Sequence, residues 1–458
     1  MAISTYSFSL PEFDPLATYL YCCPNGPGFL ESLNPRPKTG RYSIVPLRWQ
    51  EHYILKSDNL FCTEAINTRI LRGEPLETLG DILRKKSVPT STETPFPGGF
   101  FGYFGYDLAN QVEDLPQKAL RDLPLPDLQL YWVDITAVYD HQTGQLTLAT
   151  LDSAVDLKDF EVKIKKSQQP LPRLPLNITQ QPEPIISREK FISMVERGKN
   201  YISAGDVYQV NLSCRFDGGI EGSSIELYRR LREINPSPFS CYFNFPDIEI
   251  ISSSPERLVS LHNGLAETRP IAGTRPRGHT LPEDQLLGEE LLGHPKERAE
   301  HIMLLDLERN DLGKVCQTGS VEVDELMVLE QYSHVTHIVS NVRGQLKHHC
   351  SPFDLLKATF PGGTITGVPK KRCMEIIDEL EPVGRGSYTG SAGYISACGN
   401  MDLNILIRSF QRIGNKLTYQ TGAGIVADSI PEQEWNECLH KGEAMRTLLQ
   451  RFRNIDPC

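Results

Sequence analysis

Two segments place pairs of carboxylates at helical spacing. In HPKERAEHIMLLDLERNDLG (294–313), Pro295 stands where a helix can begin, and Glu297 and Glu300 are three residues apart, hence on one helical face. In DSIPEQEWNECLHKGEAMRTLL (428–449), Glu434 and Glu437 repeat that spacing, and Ser429 with Glu432 has the pattern of a capping box. Two such faces meeting would make a cage of hard oxygen donors. Mg²⁺ takes such donors, with waters and a substrate oxygen completing its six positions. The same spacing also describes solvated acids in the first turns of helices, where the helix dipole favours them.

Three Gly/Thr-rich segments, RPIAGTRPRG (269–278), FPGGTITGVPKK (360–371) and QTGAGIVADS (420–429), read as turns that offer backbone N–H groups and hydroxyls to an anionic ligand. None is a P-loop, because Gly367 is followed by Val368 and Pro369. His334 and His337 in YSHVTHIV would mimic half a zinc site on a helix, but no third ligand stands at a recognisable spacing. One substrate-facing and one structural histidine is the reading preferred. No G-x-S-x-G nucleophile elbow occurs, so covalent hydrolase chemistry has no support.

The elements that must position these groups are clearest after Ser187. Phe191, Met194, Val195 and Ile202 give a helix one apolar face, with Ser187 as N-cap and Gly205 as its stop. A strand at Val207–Cys214 follows, with Gln209, Asn211 and Ser213 on one face and Tyr208, Val210 and Leu212 on the other. Upstream, Pro95–Leu108 alternates Gly with aromatics, which predicts a buried strand with close backbone approach. Gln129–Asp140 also reads as strand, and Asn34–Lys38 and Asp122–Pro126 as turns. Leu157–Ile186, basic and then proline-rich, reads as a surface connection between residues 1–160 and 187–452.

The chain has 458 residues, 39% apolar, with 35 Gly and 33 Pro, which describes a globular protein with a large core. A formal charge of −11 argues against nucleic-acid or anionic-membrane partners. No apolar run reaches membrane-helix length, and the start has no secretory pattern. Eleven scattered cysteines without C-x-x-C suit free thiols in a reducing cytoplasm.

Taken in order, SSSPERLV, RPIAGTRPRG, ERAEHIMLLDLERNDLG, YSHVTHIVSNVRG, FPGGTITGVPK, YTGSAGYI, DLNILIRS and TGAGIVADS resemble the chorismate-utilising enzyme family over nearly the whole chain. The resemblance implies an α+β fold in which two orthogonally packed antiparallel β-sheets, flanked by helices, enclose the active site in a cleft. It implies Glu300 and Glu437 as Mg²⁺ ligands, with Glu297 and Glu434 as supporting carboxylates. Thr274, Thr364 and the backbone around Gly273, Gly422 and Gly424 correspond to groups around the ring carboxylate of chorismate. Tyr388 and Arg408 match those gripping the enolpyruvyl carboxylate, His337 matches the histidine by the departing C4 hydroxyl, and Glu256 matches the general acid for that leaving group.

Members that add water carry a Lys base where this chain has Gln209, so ammonia is the implied nucleophile, supplied by a glutamine amidotransferase subunit. GYFGYDL, EDLP, LPDLQLY and YDHQTGQLTL look closer to the aminodeoxychorismate synthase component I branch of folate synthesis. Ala272 stands where that branch's well-known form has a nucleophilic Lys, as in anthranilate synthase component I, the alternative branch. A non-catalytic ligand-binding subunit is the reading from another class, and its mark would be a broken carboxylate cage. Glu31 and Ser32 fall in the family's tryptophan-binding strand, within 28–45.

Overall fold

The computed structural model describes residues 3–33, 38–90, 93–331 and 335–452. The expected helix is α1 (Arg188–Ser203), capped by Ser187, whose Oγ accepts from the Lys190 N–H at 3.3 Å. Phe191, Met194 and Val195 are buried along its apolar face. Gly198 lets it approach the sheet, since a Cβ there would already touch Leu212 Cδ1 at 3.4 Å.

Strand β1 (Gln209–Gly222) runs well beyond the expected end at Cys214. Its apolar side, with Val210, Leu212, Cys214 and Phe216 buried, supports α1, while Gln209, Asn211 and Ser213 lie on the opposite side. The expected surface connection before it is instead structured. It holds a helix at Lys158–Ser167, with Ile164 buried, and a strand at Leu176–Pro184 paired with β1. That strand is hydrogen-bonded on one side only, so the missing N–H groups of Pro182 and Pro184 are tolerated. Gly218 of β1 leaves room for the Pro182 ring, since a Cβ there would sit 2.8 Å from Pro182 Cγ.

Antiparallel ladders join the strands into one continuous sheet with two arms, where two packed sheets were expected. The first arm runs from 176–184 through β1, the strand Lys416–Ile425, then 409–413, 249–254, 239–244 and 28–31 to the long strand Tyr42–Lys56. The second runs from Leu128–Asp140 through 99–104, 391–396, 401–404, 257–262 and 265–268 to Val335–Gln345. Tyr42–Lys56 and Leu128–Asp140 pair with each other across bulges between Pro46 and Glu51, and so carry hydrogen bonding from one arm to the other. With the helices, this is the α+β architecture expected.

Early and late segments interleave: 28–31 pairs with 240–243, and 99–104 with 391–396. Strand Gly99–Phe104 is buried at every position, as its Gly/aromatic pattern suggests. Gly102 is required there, because a Cβ would fall 2.0 Å from the Gln129 carbonyl oxygen. The ten described cysteines are free thiols. Among the described residues no helix is long and apolar enough to cross a membrane.

Candidate active site

Strands β2 (Ile271–Pro276), β3 (Val335–Gln345) and β4 (Lys416–Ile425), with helices α2 (Pro295–Val315) and α3 (Pro431–Lys441), bring most of the expected residues around one end of β1. Two of the three Gly/Thr-rich segments are therefore strand over much of their length rather than turn. Cross-strand pairing overrode their glycine content, and the glycines occur where neighbouring side chains need the space. Only 360–371 stays a turn, with a 3₁₀ segment at Gly363–Ile365.

Helix α2 begins at Pro295 as expected, and the His294 side chain accepts from the Glu297 N–H. Helix α3 departs from expectation. Ser429 does not cap it: its Oγ accepts from the Val426 N–H at 3.0 Å, Ile430 holds the cap position, and Pro431 starts the helix. The proline fixes the first turn one residue too late for a Ser429–Glu432 box.

The two carboxylate faces come within electrostatic reach of each other, the charge of Glu437 acting on Glu300. Glu300 Oε1 accepts from Gln209 Nε2 at 2.8 Å, and burial raises its pKa, with the charges of Glu297 and Glu437 adding to the rise. Burial likewise raises Glu434, the charge of Glu437 adding to it while the Ser429 hydroxyl opposes it. Glu434 Oε2 is buried with no hydrogen-bond partner among the described residues. Two bases temper the cluster: Arg275 Nη1 lies 3.3 Å from Glu297, and Lys441 Nζ lies 2.7 Å from Glu437 and 3.1 Å from the Gly422 carbonyl. Among the described residues no three His, Cys, Asp or Glu side chains are grouped closely enough to hold an ion as they stand.

On the other side of Glu297, a register shift between Ala272 and Thr274 places Gly273 in a left-handed conformation, φ +71°. A Cβ on Gly273 would sit 3.0 Å from Glu297 Oε2. The shift pairs Thr274 with His337, whose Nδ1 lies 2.9 Å from Thr274 Oγ1 and 3.1 Å from the Gly273 carbonyl. A carbonyl only accepts, so Nδ1 bears the proton in this contact. YSHVTHIV is thus not helical at His337, which lies on β3, and His334 lies outside the described residues. Ala272 is buried and paired with Ile338.

Glu256 is buried at the turn after 249–254, where it accepts from Thr364 Oγ1 at 2.8 Å. Burial lifts its pKa from 4.5 to about 7; the Thr364 hydroxyl and the charges of Arg408 and Lys441 only partly offset this. The segments that carry Tyr388 and Arg408 are joined, since the Thr389 N–H donates to the Leu406 carbonyl and the Leu406 N–H to the Gly390 carbonyl, both at 2.8 Å. Thr389 (φ +60°) and Arg408 (φ +51°) are both left-handed, a backbone strain that concentrates at functional sites.

Sequence reasoning passed over the groups that hold these side chains. Arg385 is fully buried, pairs with Glu381 at 2.7 Å, and places its guanidinium 4.8 Å from the Tyr106 ring and 5.7 Å from the Tyr388 ring. Lys441, four residues after Glu437, and Arg275, inside RPIAGTRPRG, had legible signals, whereas Arg385 had none.

Glu31 and Ser32 stand elsewhere. Glu31 is buried against Tyr228 and 3.0 Å from Arg232, and Ser32 Oγ donates to the carbonyls of Tyr42 and Pro238. Both line a cavity of about 420 Å³ with Phe239, Tyr394 and Met401. Residues 34–37 of the same stretch lie outside the described residues.

Comparison with known proteins shows the family and the fold. The family described as chorismate binding enzyme matches residues 45–447. An anthranilate synthase component I-like protein of Synechocystis sp. is 48% identical over 375 residues, 81% of this chain and 76% of that protein. Aminodeoxychorismate synthase component 1 of Bacillus subtilis is 44% identical over 388 residues, 82% of this chain and 83% of its own. The crystal structure of anthranilate synthase component I from Streptococcus pneumoniae superposes with a TM-score of 0.79 at 34% identity, covering 90% of this chain and 93% of that one.

Proposed function

The chain belongs to the chorismate-binding enzymes, and from that premise we propose that it aminates chorismate to 4-amino-4-deoxychorismate, with ammonia from a glutamine amidotransferase subunit and Mg²⁺ as cofactor. The observation that carries amination is the Gln209 amide hydrogen-bonded to Glu300. A neutral amide at that point of the cleft cannot remove a proton from water, whereas ammonia is already a nucleophile and needs no base.

The remaining groups divide the work. Glu256, held near pKa 7 and fixed by Thr364, keeps a proton at neutral pH for the allylic hydroxyl, which leaves as water. Arg408 and Tyr388 hold the enolpyruvyl carboxylate, Arg408 through the two-pronged geometry of its guanidinium. His337, oriented through Nδ1, faces the departing hydroxyl, and Thr274 and Thr364 flank the ring carboxylate. The all-oxygen donor set fits Mg²⁺: Glu434 Oε2 is buried and unpartnered, and Glu300 is raised by burial beside two like charges. Glu300 and Glu437 would hold the ion, supported by Glu297 and Glu434. Once bound, it neutralises the ring carboxylate and draws electron density toward it.

The Bacillus relative and the resemblance of 95–152 support amination at C4. The component naming of the relatives supports a partner subunit. Ala272, the Synechocystis relative and the Streptococcus structure favour a second reading: amination at C2 followed by pyruvate loss, giving anthranilate. The cavity at Glu31 and Ser32, whose walls combine Phe239, Tyr394 and Met401 with charged groups such as Arg257 and Asp402, supports a tryptophan pocket in either case. Incubation with chorismate, Mg²⁺ and ammonium, followed by an aminodeoxychorismate lyase, is expected to give 4-aminobenzoate. Fluorescent anthranilate formed without the lyase would overturn the C4 choice.

A further inference from the structure

Arg385 is buried three residues before Tyr388, and its five N–H donors meet five acceptors. Nε donates to Glu381 Oε2 at 3.0 Å, and Nη2 donates to Glu381 Oε1 at 2.7 Å and to the Asn211 carbonyl at 2.9 Å. Nη1 donates to the Ile365 carbonyl at 2.9 Å and to Thr389 Oγ1 at 3.2 Å. One planar guanidinium thus ties together four stretches of chain: Glu381 at the end of the helix Lys370–Leu380, strand β1, the 3₁₀ turn Gly363–Ile365, and the segment 388–389.

The counter-ion is anchored in turn. Glu381 Oε1 also accepts from the Ser213 N–H at 2.9 Å and from Ser213 Oγ at 2.7 Å, which holds it to β1 two residues beyond Asn211. A buried ion pair adds little stability over apolar residues of the same volume, so its hydrogen-bond directions are the more informative feature. Two of the four stretches carry groups assigned to the reaction. Thr364 stands next to Ile365 and donates to Glu256 at 2.8 Å. Tyr388 precedes Thr389, whose N–H donates to the carbonyl of Leu406, two residues before Arg408. Thr389, at φ +60°, holds a conformation that a residue other than glycine keeps only where its surroundings impose it, and the bond from Arg385 to its hydroxyl is one such constraint.

We propose that Arg385, paired with Glu381, is a positioning residue for catalysis, a clamp that sets Thr364 against Glu256 and the Tyr388 segment against the one that carries Arg408. The clamp acts through these neighbours, and it rests on the roles proposed for Glu256, Thr364, Tyr388 and Arg408. Lysine cannot replace the guanidinium. An ammonium has three donors and no plane, so at least two of the five acceptors would lose their partner.

The test uses the purified full chain with chorismate, Mg²⁺ and ammonium chloride, with free ammonia held constant between about pH 6.5 and 9. Arg385→Lys keeps a positive charge beside Glu381. It is expected to raise the chorismate KM at least about ten-fold, the worth of one hydrogen bond, while the Mg²⁺ activation constant at saturating chorismate stays within about two-fold. The pH profile is the second readout. The Thr364 hydroxyl holds the Glu256 pKa down, so a displaced turn lets it rise, and the alkaline fall of kcat/KM moves up from about 7 by about half a pH unit. A purely structural role would lower the melting temperature and leave the chorismate KM and that fall at their wild-type values; this result overturns the clamp. Should Arg385→Lys not fold, Thr389→Ala removes one acceptor and is expected to raise the chorismate KM, with Thr389→Ser restoring it; an unchanged KM in Thr389→Ala overturns the clamp. A wild-type chain that gives no aminated product overturns the amination reading, and the clamp's role with it.

Discussion

Glu256→Gln separates what the buried carboxyl does for chemistry from what it does to stability. A rise from 4.5 to about 7 on folding corresponds, at about 1.36 kcal/mol per pK unit, to roughly 3 kcal/mol. The sign follows from proton binding. The folded state holds this proton more tightly than the unfolded state, so the group lowers stability progressively between about pH 4.5 and pH 7, and by a constant amount above. Glutamine removes the charge and keeps an oxygen for the Thr364 hydroxyl. Scaling the unfolding entropy to 458 residues gives about 1 kcal/mol per degree, so the variant should melt about 3 °C higher than wild type at pH 8.5 and nearly equal to it at pH 5. Turnover should fall at least about a hundred-fold, because the leaving hydroxyl loses its acid. In the wild type, kcat/KM for chorismate should decline as pH rises through about 7. Differential scanning calorimetry at the two pH values, with initial rates across the range, reads all of this. A variant that melts lower at pH 8.5, or one that keeps its turnover, refutes the assignment of Glu256 as a buried, proton-holding acid.

Two further outcomes follow from the carboxylate cluster. Glu300→Gln or Glu437→Gln should abolish Mg²⁺-dependent turnover while the melting temperature holds or rises, since each removes like-charge repulsion around the part-buried Glu300 and Glu434; a Mg²⁺ titration of activity checks it, and an unchanged titration in either variant counts against its role as ligand. Gly273→Ala should lower kcat at least about ten-fold with a small loss of stability, because its φ is +71° and the new methyl would press on Glu297; full activity by initial-rate assay would show that the bulge does not set the Glu297 position.

Much of the architecture was legible because its signals are local. The cap at Ser187, the apolar stripe of α1, the two-faced pattern of β1 and the glycine–aromatic strand each depend on residues a few positions apart; the first two appear where expected, whereas β1 is longer than expected and the strand expected over Pro95–Leu108 is confined to Gly99–Phe104, followed by a 3₁₀ turn at Tyr106–Gln111. Local reasoning failed where pairing decided. Proline-rich 176–184 became an edge strand because β1 offered glycines beside it, and 269–278 became strand because β3 pairs with it.

For the site, the sequence determined which chemical groups are available: four glutamates at helical spacing, a lone Glu256 after a serine run, and Gln209 in place of a base. It could not say that Glu300 on one helix feels the charge of Glu437 on another, because that depends on how α2 and α3 lie around the end of β1. Nor could it show that Glu256 holds its proton to about pH 7, or that the Gln209 amide donates to Glu300. Desolvation and hydrogen-bond satisfaction are properties of the assembled surroundings. The sequence therefore determined the inventory of reactive groups, and tertiary packing decided which of them share a cleft and in what protonation state they meet a substrate.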